Sequence, residues 1–366
     1  MRRRILHLNA GNETGGGMHH IVSLLNEFSR EEFVLGVLEK GELEKRAKAL
    51  HINTVHFSKK RFPLASLRQI KKYMQQENIH IIHSHGPRAN VFANALRRRA
   101  NFRWIVTMHS NPQHDFSGKG IRGKLLEQLH MHALRRADRI ILVSEDLRKK
   151  MALRGLDKNR MITARNGIDF KEKITMQVQK EDFGIGENDF IFLMVARLVP
   201  VKDHALALRA FAKVCKLRGG CHLLLAGDGQ EKDRLQRLTE QLGIASFVHF
   251  LGEREDVHAL YKLANITLLT SKSEGFPLVL LESARAKTPA IATNVGVIAE
   301  IIPDAAHGWV VTAGDAASIC EAMQEAIIFE EQGRLQSMGE KFYQHASHHF
   351  SVEKFANKIY NVYNTM

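Results

Sequence analysis

The segment Arg197-Leu198-Val199-Pro200-Val201-Lys202 places two cations at the end of the apolar run Phe190–Ala196. About seventy residues later the chain reads Glu274-Gly275-Phe276-Pro277-Leu278-Val279-Leu280-Leu281-Glu282, with a carboxylate at each end. Arginine forks onto phosphate oxygens, and lysine acts as a mobile point charge. Together they offset the charge that builds on a departing diphosphate. Carboxylates accept hydrogen bonds from sugar hydroxyls. Gly275-Phe276-Pro277 breaks a strand and opens a helix, so Glu274 precedes that helix and Glu282 lies about two turns inside it. At ~1.5 Å per residue their separation is roughly 12 Å, close to the reach from a sugar ring across a diphosphate to a ribose. Pro277 suits the first turn, which leaves the N–H groups of Leu278 and Val279 as donors for phosphate. Alone, the cations read as surface decoration and the glutamates as an acidic helix start. In combination they describe a site for a sugar carried on a nucleoside diphosphate.

A second candidate loop runs from Asn9 to Met18, where Gly15-Gly16-Gly17 leads into a helix expected to start near His19. Glycines let a backbone approach phosphate closely, and a helix start supplies N–H donors. The spacing is not G-x-G-x-x-G, which argues against a nicotinamide cofactor. His83 and His85 stand two apart at a strand end and share a face. With no HExxH and no cysteine partner, they read as structural or polar residues, and no metal site is expected.

Short Val/Ile/Leu-rich runs alternate with amphipathic helical patterns twice over. In the first half they are 5–8, 33–38, 79–83, 104–108, 139–143 and 161–164. In the second they are 190–195, 222–226, 247–251, 266–269, 290–293 and 309–311. Runs that do not alternate, separated by helices, imply parallel sheets buried on both faces. The fold class expected is α/β, with two doubly wound Rossmann-like domains facing a cleft. The boundary is expected near 166–188, where Asn166-Gly167 reads as a turn suited to positive φ and a polar stretch follows. Residues 1–170 and 171–349 then form the two domains. Ligands of such sheets bind beyond the carboxyl ends of the strands, where all the candidate motifs fall.

The 366 residues carry a net charge of +14, unevenly spread. Residues 1–170 hold 32 Lys and Arg against 15 Asp and Glu, and the remainder 21 against 24. Basic clusters stand at Lys59-Lys60-Arg61, Arg97-Arg98-Arg99, Arg135-Arg136 and Arg148-Lys149-Lys150. Such a field draws a protein to an anionic membrane surface or an acidic acceptor. No aromatic-basic interleaving supports nucleic acid as a partner. No run approaches the ~18 apolar residues of a membrane span. Arg2-Arg3-Arg4 resembles a signal-peptide start, but Ile5–Leu8 is too short to follow it, so export is not expected. Cys215, Cys221 and Cys320 lack metal-type spacing and fit buried thiols in a reducing cytosol.

These motifs resemble the retaining GT-B glycosyltransferases of family four, glycosyl transferase group 1. The resemblance is carried by Ala196-Arg197-Leu198 with Lys202, Ala226-Gly227-Asp228-Gly229, Glu274-x7-Glu282, and Ala292-Thr293-Asn294-Val295-Gly296 with Glu300. It extends to Ile82-His83-Ser84-His85-Gly86, Val143-Ser144-Glu145, Asn166-Gly167-Ile168-Asp169 and the closing Phe350-Ser351-Val352-Glu353-Lys354-Phe355. Members often carry Gly-Gly where this chain has Gly296-Val297, and Gly where it has Ala196.

The resemblance implies that the second domain holds the nucleotide sugar. Arg197 and Lys202 would hold the diphosphate, Glu282 the ribose and Glu274 the donor sugar. Gly275, Phe276, Leu278 and Val279 would complete that wall, and Arg254 in Leu251-Gly252-Glu253-Arg254 would edge the base pocket. Gly16 and Gly17 would close over the phosphates, and His109 matches a histidine that faces the transferred sugar. The helix within 350–366 would return to the N-terminal domain. No metal is implied, and no Asp-x-Asp stands ready to hold one.

The activity expected is metal-independent, retaining hexosyl transfer from a nucleotide diphosphate sugar, a UDP-sugar ahead of a GDP-sugar, with no cofactor beyond the donor. The acceptor expected is lipid-linked or polymeric, in cell-surface polysaccharide or glycolipid synthesis. The location expected is the cytoplasm, peripheral to the inner face of the membrane. The alternatives are a nucleotide-sugar epimerase or hydrolase of the same fold, and a non-catalytic nucleic-acid-binding protein.

Overall fold

A computed structural model describes residues 4–13, 15–57, 63–115, 120–172 and 175–366. Arg2, Arg3 and the basic cluster Lys59-Lys60-Arg61 lie outside the described residues. The chain divides into two compact units, Met1–Gly167 with Val352–Met366, and Ile168–Ser351.

The first unit is built on a seven-stranded parallel sheet. Its strands are β1 (Arg4–Asn9), β2 (Phe33–Val37), β3 (Thr54–His56), β4 (Ile79–His85), β5 (Arg103–Met108), β6 (Arg139–Leu142) and β7 (Met161–Thr163). Their order is β3-β2-β1-β4-β5-β6-β7. The second unit has a six-stranded parallel sheet of β8 (Phe190–Val195), β9 (Cys221–Ala226), β10 (Val248–Gly252), β11 (Ile266–Leu269), β12 (Ala290–Thr293) and β13 (Gly308–Val311). Their order is β10-β9-β8-β11-β12-β13. Both units are therefore doubly wound, and each sheet changes winding direction between its first strand and its fourth. Those switch points, β1/β4 and β8/β11, are where such sheets open a crevice for ligand.

The strand β8 shows why an uninterrupted apolar run makes a buried strand. Phe190, Phe192 and Met194 enter the core on one face of the sheet. Ile191 and Leu193 enter the core on the other. Successive side chains alternate, so both faces need apolar residues when helices cover both. The helix His204–Leu217 supplies one cover through Leu208, Phe211 and Val214, all buried. In the first unit the closing helix Val352–Asn364 packs Phe355, Ala356, Ile359, Val362 and Tyr363 into the core beside Ile21, Leu24 and Leu25.

Twelve of the thirteen strands fall where the apolar runs predict them, within two residues. The other, β3, is a three-residue edge strand, half-buried throughout, and has no apolar run to announce it.

Three local expectations are corrected. The first helix begins at Gly16, not near His19, because Gly15 takes φ +62° and caps it. The later helix spans only Leu278–Arg285, with Pro277 at its cap, so the stretch from Glu274 to Pro277 is not helical and a uniform helical rise does not apply to the two glutamates. Asn166-Gly167 is not a positive-φ turn, since neither residue has positive φ. Asn166 is instead buried, and its side chain bonds His20.

Candidate active site

In the second unit one of the predicted cations, Lys202, and the first predicted carboxylate, Glu274, meet at the β8/β11 switch point. Lys202 Nζ lies 2.6 Å from Glu274 Oε1, with both side chains largely shielded. Ser271 Oγ donates to the same carboxylate oxygen at 2.5 Å. The backbone around Lys202 is fixed from β11's end. Lys272 N donates to the Val201 carbonyl at 2.8 Å, and the Thr270 hydroxyl lies 3.1 Å from the carbonyls of both Lys202 and Asp203. Asp203 itself holds φ +50° as the chain turns into its helix. Arg197 is exposed and makes no ion pair among the described residues. The pair thus leaves one guanidinium open to an anion and one ammonium held in place by a carboxylate.

Glycines set the tight packing of these loops. A Cβ on Gly227 would strike the Ala196 carbonyl, and one on Gly296, at φ +61°, would lie 2.6 Å from the Glu274 carbonyl. Leu198 N donates to Asp228 O at 2.9 Å, which ties the Arg197 loop to the Gly227-Asp228-Gly229 loop. The single glycine at 296 is therefore the one that the Glu274 backbone requires, and Val297 after it is buried.

Glu282 sits inside the helix Leu278–Arg285 and accepts a 3.1 Å bond from the buried Tyr261 hydroxyl. Burial, then the Glu282 charge, push that phenol well above its usual range, so it stays a donor. Gly275 is half-buried, Phe276 and Leu278 are buried, and Val279 is half-buried. Arg254 is engaged elsewhere: its Nε and Nη2 grip both oxygens of Asp256 at 2.8 and 2.5 Å. The structure does not join it to the Lys202–Glu274 group. The Lys202–Glu274 pairing is absent from the sequence reading, which treats the two as holders of different parts of one ligand.

In the first unit, the β1/β4 switch point gathers five histidines. His7 lies opposite His83 in the sheet register, and Asn9 opposite His85. His83 Nδ1 lies 2.6 Å from Tyr363 Oη, which lies 3.0 Å from His7 Nε2, and His7 Nδ1 lies 3.0 Å from His85 Nε2. His83 Nε2 meets Thr107 Oγ1 at 2.7 Å. A hydroxyl has one proton to give, so one ring donates to Tyr363 while the other accepts from it. The chain of bonds therefore has one direction throughout. His20 Nδ1 meets Asn166 Oδ1 at 2.7 Å, which puts its proton there and leaves Nε2 as a lone pair.

Four buried nitrogens in this group have no hydrogen-bond partner: His20 Nε2, His85 Nδ1 and both of His109. Burial holds all five rings neutral. His7 is lowered to about 3, by burial and then by His20, and His20 to about 4. His83, His85 and His109 lie well below their ordinary value for the same first cause. Nitrogens of His7, His83 and His85, and of His20, His85 and His109, lie within 4.8 Å of one another. The sequence analysis names the His83/His85 pair and, separately, His109; sheet order brings His7 to them, and the first helix brings His20. The second trio is the one with unused nitrogens, suited to hydroxyl groups or to a cation.

The loop before the first helix holds a residue that sequence reasoning missed. The Glu13 carboxylate occupies the space a side chain on Gly17 would need, and Asn9 Nδ2 donates to it at 3.2 Å. Gly16 faces open space. The start of this helix thus already has an acidic neighbour.

Comparison with known proteins decides what this arrangement belongs to. The family described as "Glycosyl transferases group 1" matches residues 175–345, and "Glycosyltransferase Family 4" matches residues 14–172. The chain is a GT-B glycosyltransferase of family 4. This glycosyltransferase is 28% identical over 309 residues to N-acetyl-alpha-D-glucosaminyl L-malate synthase of Bacillus anthracis, covering 82% of this chain and 79% of that protein. Its fold matches Anabaena HepE in complex with UDP-glucose at TM-score 0.87 and 18% identity, over 99% of this chain and 100% of HepE. It also matches sucrose-phosphate synthase from Thermosynechococcus elongatus at TM-score 0.81 and 19% identity, over 99% of each chain.

The neutral histidines give this glycosyltransferase an acid sensitivity. Their folded-state values lie below the ordinary 6.5, so the unfolded chain binds more protons once the pH drops under about 6.5. Stability is full above that value and falls as the pH goes down toward about 4, by at most about 1.4 kcal/mol per pH unit for each ring. Thermal midpoints measured from about pH 7.5 to pH 5 will fall, with proton uptake on unfolding. A midpoint that stays level over this range contradicts buried, neutral rings.

Proposed function

We propose that this glycosyltransferase moves a hexose-type sugar, with retention of anomeric configuration, from a UDP-sugar ahead of a GDP-sugar to an acceptor hydroxyl. The observation that carries the reading is the Lys202–Glu274 pair at 2.6 Å, with Arg197 exposed just past the end of β8. When a diphosphate arrives, Arg197 and Lys202 take its charge. Glu274 exchanges the lysine for hydroxyls of the sugar, and Glu282 takes the ribose. A carboxylate that keeps Ser271 on Oε1 and accepts sugar hydroxyls in place of Lys202 orients the sugar rather than attacks it. Retention then follows from attack on the face the diphosphate leaves: the bond from the anomeric carbon to phosphate oxygen breaks, the acceptor oxygen bonds the same carbon, and its proton passes to the departing phosphate. Arg197 and Lys202 stabilise the charge that develops. The HepE complex with UDP-glucose supports UDP as the carrier. The Bacillus anthracis enzyme's name supports a hexose-type sugar. Two cations do the work a divalent ion would do beside a diphosphate, so the transfer needs no metal, and His109 with His20 and His85 binds sugar hydroxyls.

The acceptor we propose is lipid-linked or polymeric, reached at the inner face of the cell membrane in cell-envelope synthesis. The helix Gly120–Leu134 supports this. It exposes Ile121 at 87%, with Leu125, Leu126 and Leu129, beside exposed Arg122 and Lys124. Spacings of four, one and three place those apolar residues on one face. An apolar stripe flanked by cations is the pattern of an interfacial helix. Among the described residues no helix is long and apolar enough to cross a membrane.

Glu274→Ala and Arg197→Ala will each lower turnover at least about 10²-fold in folded protein, while Glu282→Ala mainly raises the donor KM. Wild-type rates in the first two place the site elsewhere. Exhaustive treatment with EDTA will leave transfer unchanged, and activity restored only by an added divalent ion contradicts the metal-free reading. Vesicles with anionic lipid will sediment the wild type at low salt and release it at high salt, and Ile121→Ser/Leu125→Ser will weaken that binding. Equal binding by the double variant removes this helix from the membrane contact.

A further inference from the structure

The first unit carries a second concentration of charge at the end of its sheet opposite to His85 and His109. A cavity of about 730 Å³ is lined by Arg97, Arg103, Arg135, Arg136, Arg139 and Arg160, with Asp138 the carboxylate side chain among them. Arg103 and Arg139 are the first residues of β5 and β6, and Arg160 stands just before β7. Arg97 follows the helix Pro87–Leu96, and Arg135 and Arg136 follow Gly120–Leu134. Cations at helix C-termini are ordinary, because they meet the unpaired carbonyls and the dipole. That accounts for Arg97, Arg135 and Arg136. It does not account for Arg103 and Arg139, which strands bring to the same cavity, with Arg160 added from the turn before β7.

Asp138 offsets only one of these charges. Its Oδ1 takes Arg97 Nη2 at 2.6 Å and its Oδ2 takes the Trp104 N–H at 2.8 Å. Arg160 has the exposed Asp157 at 3.3 Å. Arg103 and Arg136 have no ion-pair partner among the described residues. A carboxylate at Met366, which borders the cavity, would leave most of the positive charge standing.

Several of the guanidiniums are also oriented by backbone. Arg139 Nη1 donates to Asp138 O at 3.1 Å, Arg160 Nη1 lies 3.4 Å from Ala137 O, and Arg135 Nη2 lies 3.4 Å from Arg154 O. Fixed, concave and like-charged, the group is arranged for a planar-fork grip on phosphate oxygens, with part of the ordering already done before ligand binds.

We propose that this cavity binds a multiply charged phosphate group, a phosphomonoester or a diphosphate, at a site built wholly from the first unit and separate from the donor residues of the second. The phosphate belongs either to a soluble compound or to a lipid headgroup, and the chemistry of recognition is the same for both.

The test is calorimetric titration of inorganic pyrophosphate into the full chain, at constant ionic strength and with saturating UDP to fill the donor site. Binding will persist under UDP and in Arg197→Ala, and Arg103→Ala/Arg139→Ala will weaken it at least about tenfold. Circular dichroism confirms that the double variant is folded, and Arg103→Lys/Arg139→Lys will recover part of the affinity. Pyrophosphate binding that UDP abolishes, or that the double alanine variant leaves intact, overturns the proposal. Sedimentation with phosphatidic acid vesicles separates the sources. Binding lost in the double variant assigns a lipid headgroup, and pyrophosphate binding without a vesicle effect assigns a soluble phosphate.

Discussion

The pairing of β8 with β11 is the constraint on which the second unit's chemistry rests. Only two register pairs, Ile266 with Phe192 and Thr267 with Leu193, tie these strands together. Beyond them the two strands' extensions run out together, and Thr270 and Lys272 clamp the backbone of Val201, Lys202 and Asp203. That clamp puts an ammonium against a carboxylate that lies 72 positions further along the chain. A buried ion pair is not in itself a source of much stability, because desolvation offsets most of the Coulomb gain. Here it serves position. Each partner is held in place and shielded, and under the proposed function an arriving diphosphate with its sugar would replace both partners at once.

The first unit repeats the same topology with different chemistry. Among the described residues, the histidines gathered at its switch point form no ion pair. Neutral imidazoles and a tyrosine from the closing helix make a continuous chain of hydrogen bonds from Thr107 to His85. Charge would be costly there, since five rings share one buried volume and each added proton repels the others. The result is a set of lone pairs and N–H groups with fixed direction, suited to reading hydroxyls. Tyr363 makes the closing helix part of this arrangement, so the last residues of the chain support the first strand's site directly.

Much of this was legible in the residues, and what was not shares a physical cause. Continuous apolar runs announced every strand except β3, whose Thr54-Val55-His56 buries too little to leave a pattern. The cations, the carboxylates and the order of the motifs announced a glycosyltransferase. The Lys202–Glu274 contact was not legible, because it depends on β11 lying beside β8 rather than on any local spacing. The histidine group was half legible. His83 and His85 stood out as a pair and His109 stood out by resemblance, but His7 and His20 join them only through sheet order and the first helix. Helix starts were misplaced where glycine or proline caps, as at Gly15 and Pro277, since those residues fit several adjacent positions equally well. The pairing of Arg254 with Asp256, two residues away, was also not read from the sequence.

The family and the fold are those of a glycosyltransferase, and the account of how it works stands on where the diphosphate goes. A crystal structure of the protein with a non-hydrolysable UDP-hexose measures this most directly. The account predicts diphosphate oxygens within about 3 Å of the Arg197 and Lys202 side chains, and Glu274 turned from Lys202 to the hexose hydroxyls. Donor bound elsewhere in the second unit, or bound with the Lys202–Glu274 pair unbroken and Arg197 in solvent, contradicts it.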